Sequence, residues 1–486
     1  EEALLKLFTK HRIVFWYDEK QELLEQFNEL NLAGVEKRVV GNDQFYIKFL
    51  VTKEKPTNQF LLYFPSKKPS NSDNWLLDLE LANYLFQTNQ EALFAQELEL
   101  EYQYTELIAE HLEFFKNKER IASLKGLLGK GDEHQAIRYK MLSVLFDTEN
   151  LTLTSFLQAH ASAYNDGNER YDRELERYNL KTFYWKEISR IFNYSNDHGS
   201  IYDFLIEVFN TNFSLGKKMG ITNESKVLLS IWKDTISYQA AYRDLSRKIA
   251  NDIKVESLLN EATVEEVIQD DLFDLIDQKI ISDLAKMICD ETISNEKLNQ
   301  LIKKRENKYW YHDFENFYLC LANGMQMISL IRKFEKAKIE SLADGVNNYV
   351  QYLFKIDYFY RKYIFHYRQA KQNKVLQPLT DKVEKVYSND WLLAYGNEWQ
   401  QVVDAANKWY SPSRNAQHRF FTDHVKPIIS KGQRLFVIIS DGLRYECGWE
   451  YLQKIQTEKR FEGTLDYMVS TLPSYTQLGM AALLPN

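Results

Sequence analysis

Apolar and polar positions change their period along the chain. Over residues 1–85 short apolar runs alternate with helical spacings. Glu2 to Lys10 reads as a short helix with Leu4, Leu5 and Phe8 on its inner side. Arg12 to Tyr17 reads as a strand, because Ile13, Val14, Phe15, Trp16 and Tyr17 are all β-formers, and Asp18 stands at its end. Glu19 to Leu30 carries Leu23, Leu24 and Phe27 at helical spacing. Val35 to Val40, Gln44 to Val51 and Gln59 to Phe64 then read as three further strands. The pattern predicts a small α/β module with a mostly buried sheet, its edge marked by the Ser, Pro, Asn and Lys of Pro65 to Asn74.

From Trp75 to about Ser430 the period becomes helical. Glu91 to Lys118 predicts one long helix with a buried stripe through Leu93, Phe94, Leu98, Tyr102, Leu107, Ile108, Leu112 and Phe115. Gly126 to Asp132, Asn165 to Glu169 and Ser195 to Gly199 read as breaks. Thr263 to Glu266 has the capping-box pattern ahead of an acidic helix over Glu265 to Asp277. Asp344 to Gln372 predicts the most distinctive helix: Tyr349, Leu353, Ile356, Tyr360, Tyr363 and Tyr367 follow steps of four and three, and Gln377-Pro378 ends it. A last helical segment runs through Trp391, Trp399 and Val403 to a loop at Ser411-Pro412-Ser413. No repeat of fixed period is present.

The final stretch changes again. Leu435 to Ser440 is an unbroken apolar run that reads as a strand buried on both faces of a parallel sheet, although a short apolar helix fits the pattern as well. Asp441-Gly442 follows, then a helix with Tyr445, Trp449 and Leu452 on one side. Thr464 to Ser470 alternates as a second strand. Thr471-Leu472-Pro473 breaks it, and Ser474, Tyr475 and Thr476 stand where a new helix begins, with Met480 to Leu484 as its apolar body. The division expected is a module over 1–85, a helical region over 86–430 and a third part over 431–486, and the fold class is α+β.

Composition narrows the function. The 486 residues are 44% hydrophobic and 27% charged, the signature of a globular chain. A net charge of −8 lacks the overall footprint of a nucleic-acid binder, which leaves room only for a local basic patch. Cys289, Cys320 and Cys447 have no metal-ligand spacing and fit a reducing compartment, the cytoplasm. Every apolar run is far shorter than the roughly 20 residues that cross a bilayer, so no membrane partner is expected. The first module has no G-x-G-x-x-G turn, and Gly129-Lys130-Gly131 fails the phosphate-loop spacing.

Two constellations carry chemistry. A carboxylate at a strand end followed by a flexible glycine is placed like a metal ligand, and a hydroxyl at a strand-to-helix junction is placed like a nucleophile that such a metal would activate. Asp441 and Thr476 fill these roles, with Ser474 the competing hydroxyl; on spacing alone an ordinary turn and an N-cap account for the same residues more simply. The second constellation is Arg361, Lys362, Arg368, Lys371 and Lys374, basic residues interleaved with aromatics as in a single-strand nucleic-acid groove. Core tyrosines with a solvated basic helix end explain that pattern too. His418 and His424, six apart, do not share a helix face and read as structural or solvent-facing.

The segments VIISDGLRYE and STLPSYTQLGMAALLP closely resemble the opening of the PglZ domain, a branch of the alkaline phosphatase superfamily found in BREX bacteriophage-defence systems. The resemblance implies a metal-dependent phosphohydrolase or phosphodiesterase, nucleases included, in the bacterial cytoplasm. Asp441 would be the first metal-binding aspartate and Thr476 the nucleophile that also touches metal, with Ser474 a local cap. Members complete a site for two zinc ions, or related divalent metals, with Asp and His residues downstream of the nucleophile. Since the sequence stops at Asn486, the resemblance implies an N-terminal portion of such a protein, inactive by itself. The alternative is a non-catalytic scaffold that binds other BREX proteins; nucleic acid is the other partner considered.

Overall fold

A computed structural model of the protein describes all residues except 1, 20, 22, 87–89, 197–198, 219, 335–337, 372, 407–408, 410–414 and 486. The loop expected at Ser411-Pro412-Ser413 lies outside the described residues. The chain forms two compact units, Glu1–Tyr202 with Thr222–Trp232, and Asp203–Ile221 with Lys233–Asn486. The architecture is α+β: one small sheet near the N-terminus and helices over most of the remainder.

The first unit opens with a four-stranded, all-parallel sheet. Strands β1 (Ile13–Tyr17), β2 (Val35–Val39), β3 (Gln59–Phe64) and β4 (Tyr84–Phe86) lie in the order β2-β3-β1-β4. Central β1 is apolar at every position because both of its faces are covered. Val14 and Trp16 pack with Leu4, Phe8 and Phe27 on one side, and Ile13 and Phe15 pack with Ile47, Leu50 and Val51 on the other. In the first helix, Glu2–Phe8, Leu7 turns inward in place of the expected Leu5, which is 41% exposed.

The expected strand at Gln44 to Val51 is instead a helix, Gln44–Phe49, running into a π-helical turn, Leu50–Glu54. Its buried residues, Ile47, Leu50 and Val51, follow steps of three and one, and Phe45, Tyr46 and Phe49 face solvent. β2 and β3 are parallel, so the chain must cross over between them, and a helix fills that crossover. β4 was not anticipated, since three residues are too few to show a period. Asp18, buried at the end of β1, accepts hydrogen bonds from the Tyr63 hydroxyl at 2.6 Å and the Leu23 amide at 2.8 Å, a structural use of this carboxylate.

The long helix expected over Glu91 to Lys118 is broken into Gln90–Glu97, Thr105–Glu110 and Leu112–Phe115, with Glu99 at φ +58°. Leu98, Leu107, Ile108 and Phe115 are nonetheless buried. Leu93, expected in the same stripe, is 46% exposed, because the breaks turn the first of these helices out of the single helical register, and those breaks were not visible in the pattern.

The second unit is helical. Its frame is α1 (Asp274–Cys289), α2 (Tyr311–Phe334), α3 (Phe354–Gln369) and α4 (Gln377–Lys385), with α3 lying along α2. The capping box at Thr263 is present, Glu266 accepting from the Thr263 amide at 2.8 Å, but it fronts only the short helix Val264–Val267; the acidic stretch becomes helical again at α1. The aromatic stripe behaves as expected, with Leu353, Ile356 and Tyr363 buried. The helical path is not uniform, however: Leu342–Asn348 leads through a π-helical turn, Tyr349–Leu353, into α3. Pro378 sits in the first turn of α4 and does not terminate the helix before it, because a missing N–H costs nothing at that position. His418 and His424 are exposed.

Between α1 and its neighbours Arg305 and Asp277 form a fully buried ion pair, with Nε to Oδ1 at 3.0 Å and Nη2 to Oδ2 at 2.6 Å. The Tyr318 hydroxyl donates to Asp277, and the Ile268 carbonyl accepts from Arg305 at 3.0 Å. Burial works against both charges, and their mutual attraction holds Arg305 firmly protonated. Arg305→Leu leaves the Asp277 carboxylate buried and unpaired, so urea unfolding should show a loss of about 3–5 kcal/mol, and Asp277→Leu with Arg305→Leu should recover much of it.

Candidate metal and nucleophile site

The C-terminal apolar run does not form the expected buried strand. Residues 435–440 are extended, and no strand among the described residues lies beside them. Phe436 is 79% exposed and Ile438 93%. A parallel strand exists only through its neighbours' hydrogen bonds, so the apolar pattern alone does not make one. Residues 464–470 are likewise extended, with a parallel bridge between Val469 and Ala416 and side-chain hydrogen bonds from Asn415 to Asp466 and from Trp409 to the Ser470 carbonyl.

The two turns that the sequence singled out do converge. Gly442, at φ +69°, lets the chain leave the extended run and enter α5 (Tyr445–Gln456). Thr476 is the first residue of the seven-residue helix α6 (Thr476–Ala482), which follows a cis Leu472–Pro473 peptide. Thr476 Oγ1 donates to Asp441 Oδ2 at 3.2 Å across 35 residues of sequence. Ser474 is exposed and stands outside this pair.

The pair suits one edge of a metal site. Two oxygens 3.2 Å apart match the spacing of about 3.3 Å that bonds of about 2.0 Å impose on neighbouring ligands in a tetrahedron. Both residues are open to solvent. Among the described residues no group of three or more His, Cys, Asp or Glu is placed to hold a metal, so the pair supplies two of the four or more donors needed.

α5 is held against α3 by rings and charges. Phe354 packs on Tyr445 and Trp449, with centroids 5.2 and 5.5 Å apart, and Tyr358 packs on Trp449 at 5.2 Å. Arg361 and Lys362 bind Glu450 at 2.7 and 3.2 Å. Arg444 reaches Asp357 on α3 at 3.1 Å. Two of the five basic residues considered for nucleic acid are thus paired with a carboxylate of the segment that follows Asp441. Arg368, Lys371 and Lys374 are exposed.

Asp357, Arg444, Glu446 and Glu450 were not singled out from the sequence. A signal was present in the second pair: Glu446 and Glu450 are spaced to share one face of α5, opposite an uncompensated run of cations on α3. Asp357, one residue from a buried isoleucine, gave none.

Residues 420–486 match a known family, the BREX system PglZ alkaline phosphatase-like domain. Beyond that segment, the chain is 27% identical over 493 residues to the alkaline phosphatase-like protein PglZ of Bacillus cereus (strain H3081.97), covering 98% of this chain. It is 28% identical over 518 residues, 99% of this chain, to the alkaline phosphatase-like protein BrxZ of Escherichia coli O9:H4 (strain HS). The likeness to PglZ proteins suggested by the two C-terminal segments is therefore shown, and it runs along nearly the whole chain. The chain spans 58% and 59% of the lengths of these relatives. No solved structure matches it.

Burial raises the Glu450 pKa, but the hydrogen bonds from Arg361 and Lys362 outweigh it and leave the carboxyl below its usual range. A depressed pKa means that the stabilisation is present above the unfolded value and disappears as pH falls through the folded one. Glu450→Gln should therefore be less stable than the wild type by about 1 kcal/mol at neutral pH, and the gap between their unfolding midpoints should close towards pH 3.

Proposed function

We propose that this chain is part of a BREX-system phosphohydrolase in which Thr476 attacks phosphorus and Asp441 binds a divalent metal, zinc by preference. The observation that carries the reading is the meeting of Asp441 and Thr476 at 3.2 Å inside the segment that matches the PglZ domain. The substrates proposed are phosphodiesters in nucleic acid or nucleotides, and the compartment is the bacterial cytoplasm.

The chemistry of the pair follows from its geometry. Asp441 Oδ2 accepts a hydrogen bond from Thr476 Oγ1, which fixes the orientation of Oγ1 and leaves its lone pairs towards the open side, where a phosphoester can approach. A divalent ion held by these two oxygens would supply Lewis-acid stabilisation of the alkoxide and of charge on the phosphoryl group. Ser474 lies outside the pair and serves the local turn.

A second reading is a scaffold in which the first 430 residues bind other BREX proteins. It draws on Phe45, Tyr46, Phe49 and Trp75 of the N-terminal module, 75%, 53%, 51% and 69% exposed. Nucleic-acid contact, if made by the basic helix end, falls to Arg368, Lys371 and Lys374.

The test is hydrolysis of a chromogenic phosphodiester and the matching monoester by the full-length protein, with and without added zinc or manganese. Metal-dependent turnover should fall on the order of 10³-fold or more in Thr476→Ala and persist in Ser474→Ala. Absence of turnover with any metal would replace this reading with the scaffold.

A further inference from the structure

The carboxylate of Asp441 accepts a hydrogen bond from Thr476 Oγ1 at 3.2 Å. Residues 435–440, immediately before it, are extended, mostly solvent-exposed and unpaired with any described strand. A second constraint on Asp441 comes from its C-terminal side, where Gly442 and Leu443 lead to Arg444.

Arg444 is anchored. Its guanidinium donates to Asp357 Oδ2 at 3.1 Å and lies 3.5 Å from Glu446 Oε1. Asp357 is 4% exposed and Glu446 1%. Asp357 is itself immobilised: Oδ2 also accepts from the Tyr349 hydroxyl at 2.6 Å, and Oδ1 from the Tyr387 hydroxyl at 2.9 Å and the Trp391 indole at 3.2 Å. A carboxylate has about four acceptor sites, so these four donors saturate it, and three of them are ring-borne groups packed in the helical unit. Burial opposes the charge on Arg444, yet Asp357 and Glu446 hold its pKa well above the ordinary arginine value. Only two residues separate this fixed point from Asp441, and the three steps of chain between them span about 10 Å at most.

We propose that the Asp357–Arg444 ion pair is the device that positions Asp441 for metal, coupling the helical region to the metal-binding edge; Asp357 and Arg444 are positioning residues. The proposal rests on the reading of Asp441 as a metal ligand. Groups that orient a metal ligand without touching the metal typically change affinity by about 10- to 100-fold when removed. Lys362 lies on the same helix and pairs with α5 through Glu450, away from the Asp441 turn, and is the control.

The experiment is Mn²⁺ binding to the full-length protein, followed by the electron paramagnetic resonance of the free ion, with thermal unfolding of each variant alongside. Arg444→Met should weaken Mn²⁺ binding about ten-fold or more, with Arg444→Lys falling between it and the wild type and Lys362→Met staying within about two-fold. An affinity within about two-fold of wild type in Arg444→Met, while Asp441→Ala loses binding, overturns the positioning role and leaves the metal reading standing. Unchanged binding in Asp441→Ala overturns both. Should Arg444→Met fail to fold, Asp357→Asn decides: it keeps the volume, loses the charge, and should weaken binding in the same direction, whereas wild-type affinity there overturns the proposal.

Discussion

A carboxylate withdrawn from water destabilises a fold unless donors surround it, and Asp357 is withdrawn almost completely. Its four donors come from three stretches: Tyr349 before α3, Tyr387 and Trp391 after α4, and Arg444 ahead of α5. A shift of any one of these stretches takes at least one donor from a buried charge. The network ties the phosphatase-like segment to the helical unit with directional bonds, and the aromatic contacts of Phe354 and Tyr358 with α5 fill the space around them.

This accounts for a basic cluster that is ambiguous in sequence. No acid stands between Arg361 and Lys374 along the chain, which is the pattern of a surface awaiting an anionic ligand. The anion of Arg361 and Lys362 is Glu450, 89 and 88 residues away. Charge runs report an unmet need for a counter-charge, and the counter-charge can come from the same chain as easily as from nucleic acid. Only the exposed end of the run, Arg368, Lys371 and Lys374, keeps the character of an open basic surface.

Hydrophobic pattern was informative in proportion to how local its cause is. β1 and β3 were legible because both faces of each are buried and the apolar run is continuous. Gln44 to Val51 was misread because β-forming residues there lie in a crossover helix, whose burial follows the helical period. The run at Leu435 has the composition of a buried strand and yet is exposed, since strand formation depends on partners that composition does not supply.

By itself the sequence determined the α+β class, the helical character of the middle region, the core side of the Asp344 to Gln372 stripe, and Asp441 and Thr476 as the chemically distinctive pair. These follow from periodicity, turn chemistry and motif, all of which act over a few residues. Tertiary structure alone decided that Asp441 and Thr476 touch, that Glu450 neutralises Arg361 and Lys362, and that a buried Asp357 anchors the turn beside Asp441. Each of those contacts joins residues 35 to 89 positions apart, and no local spacing records which distant segments a packed core will bring together.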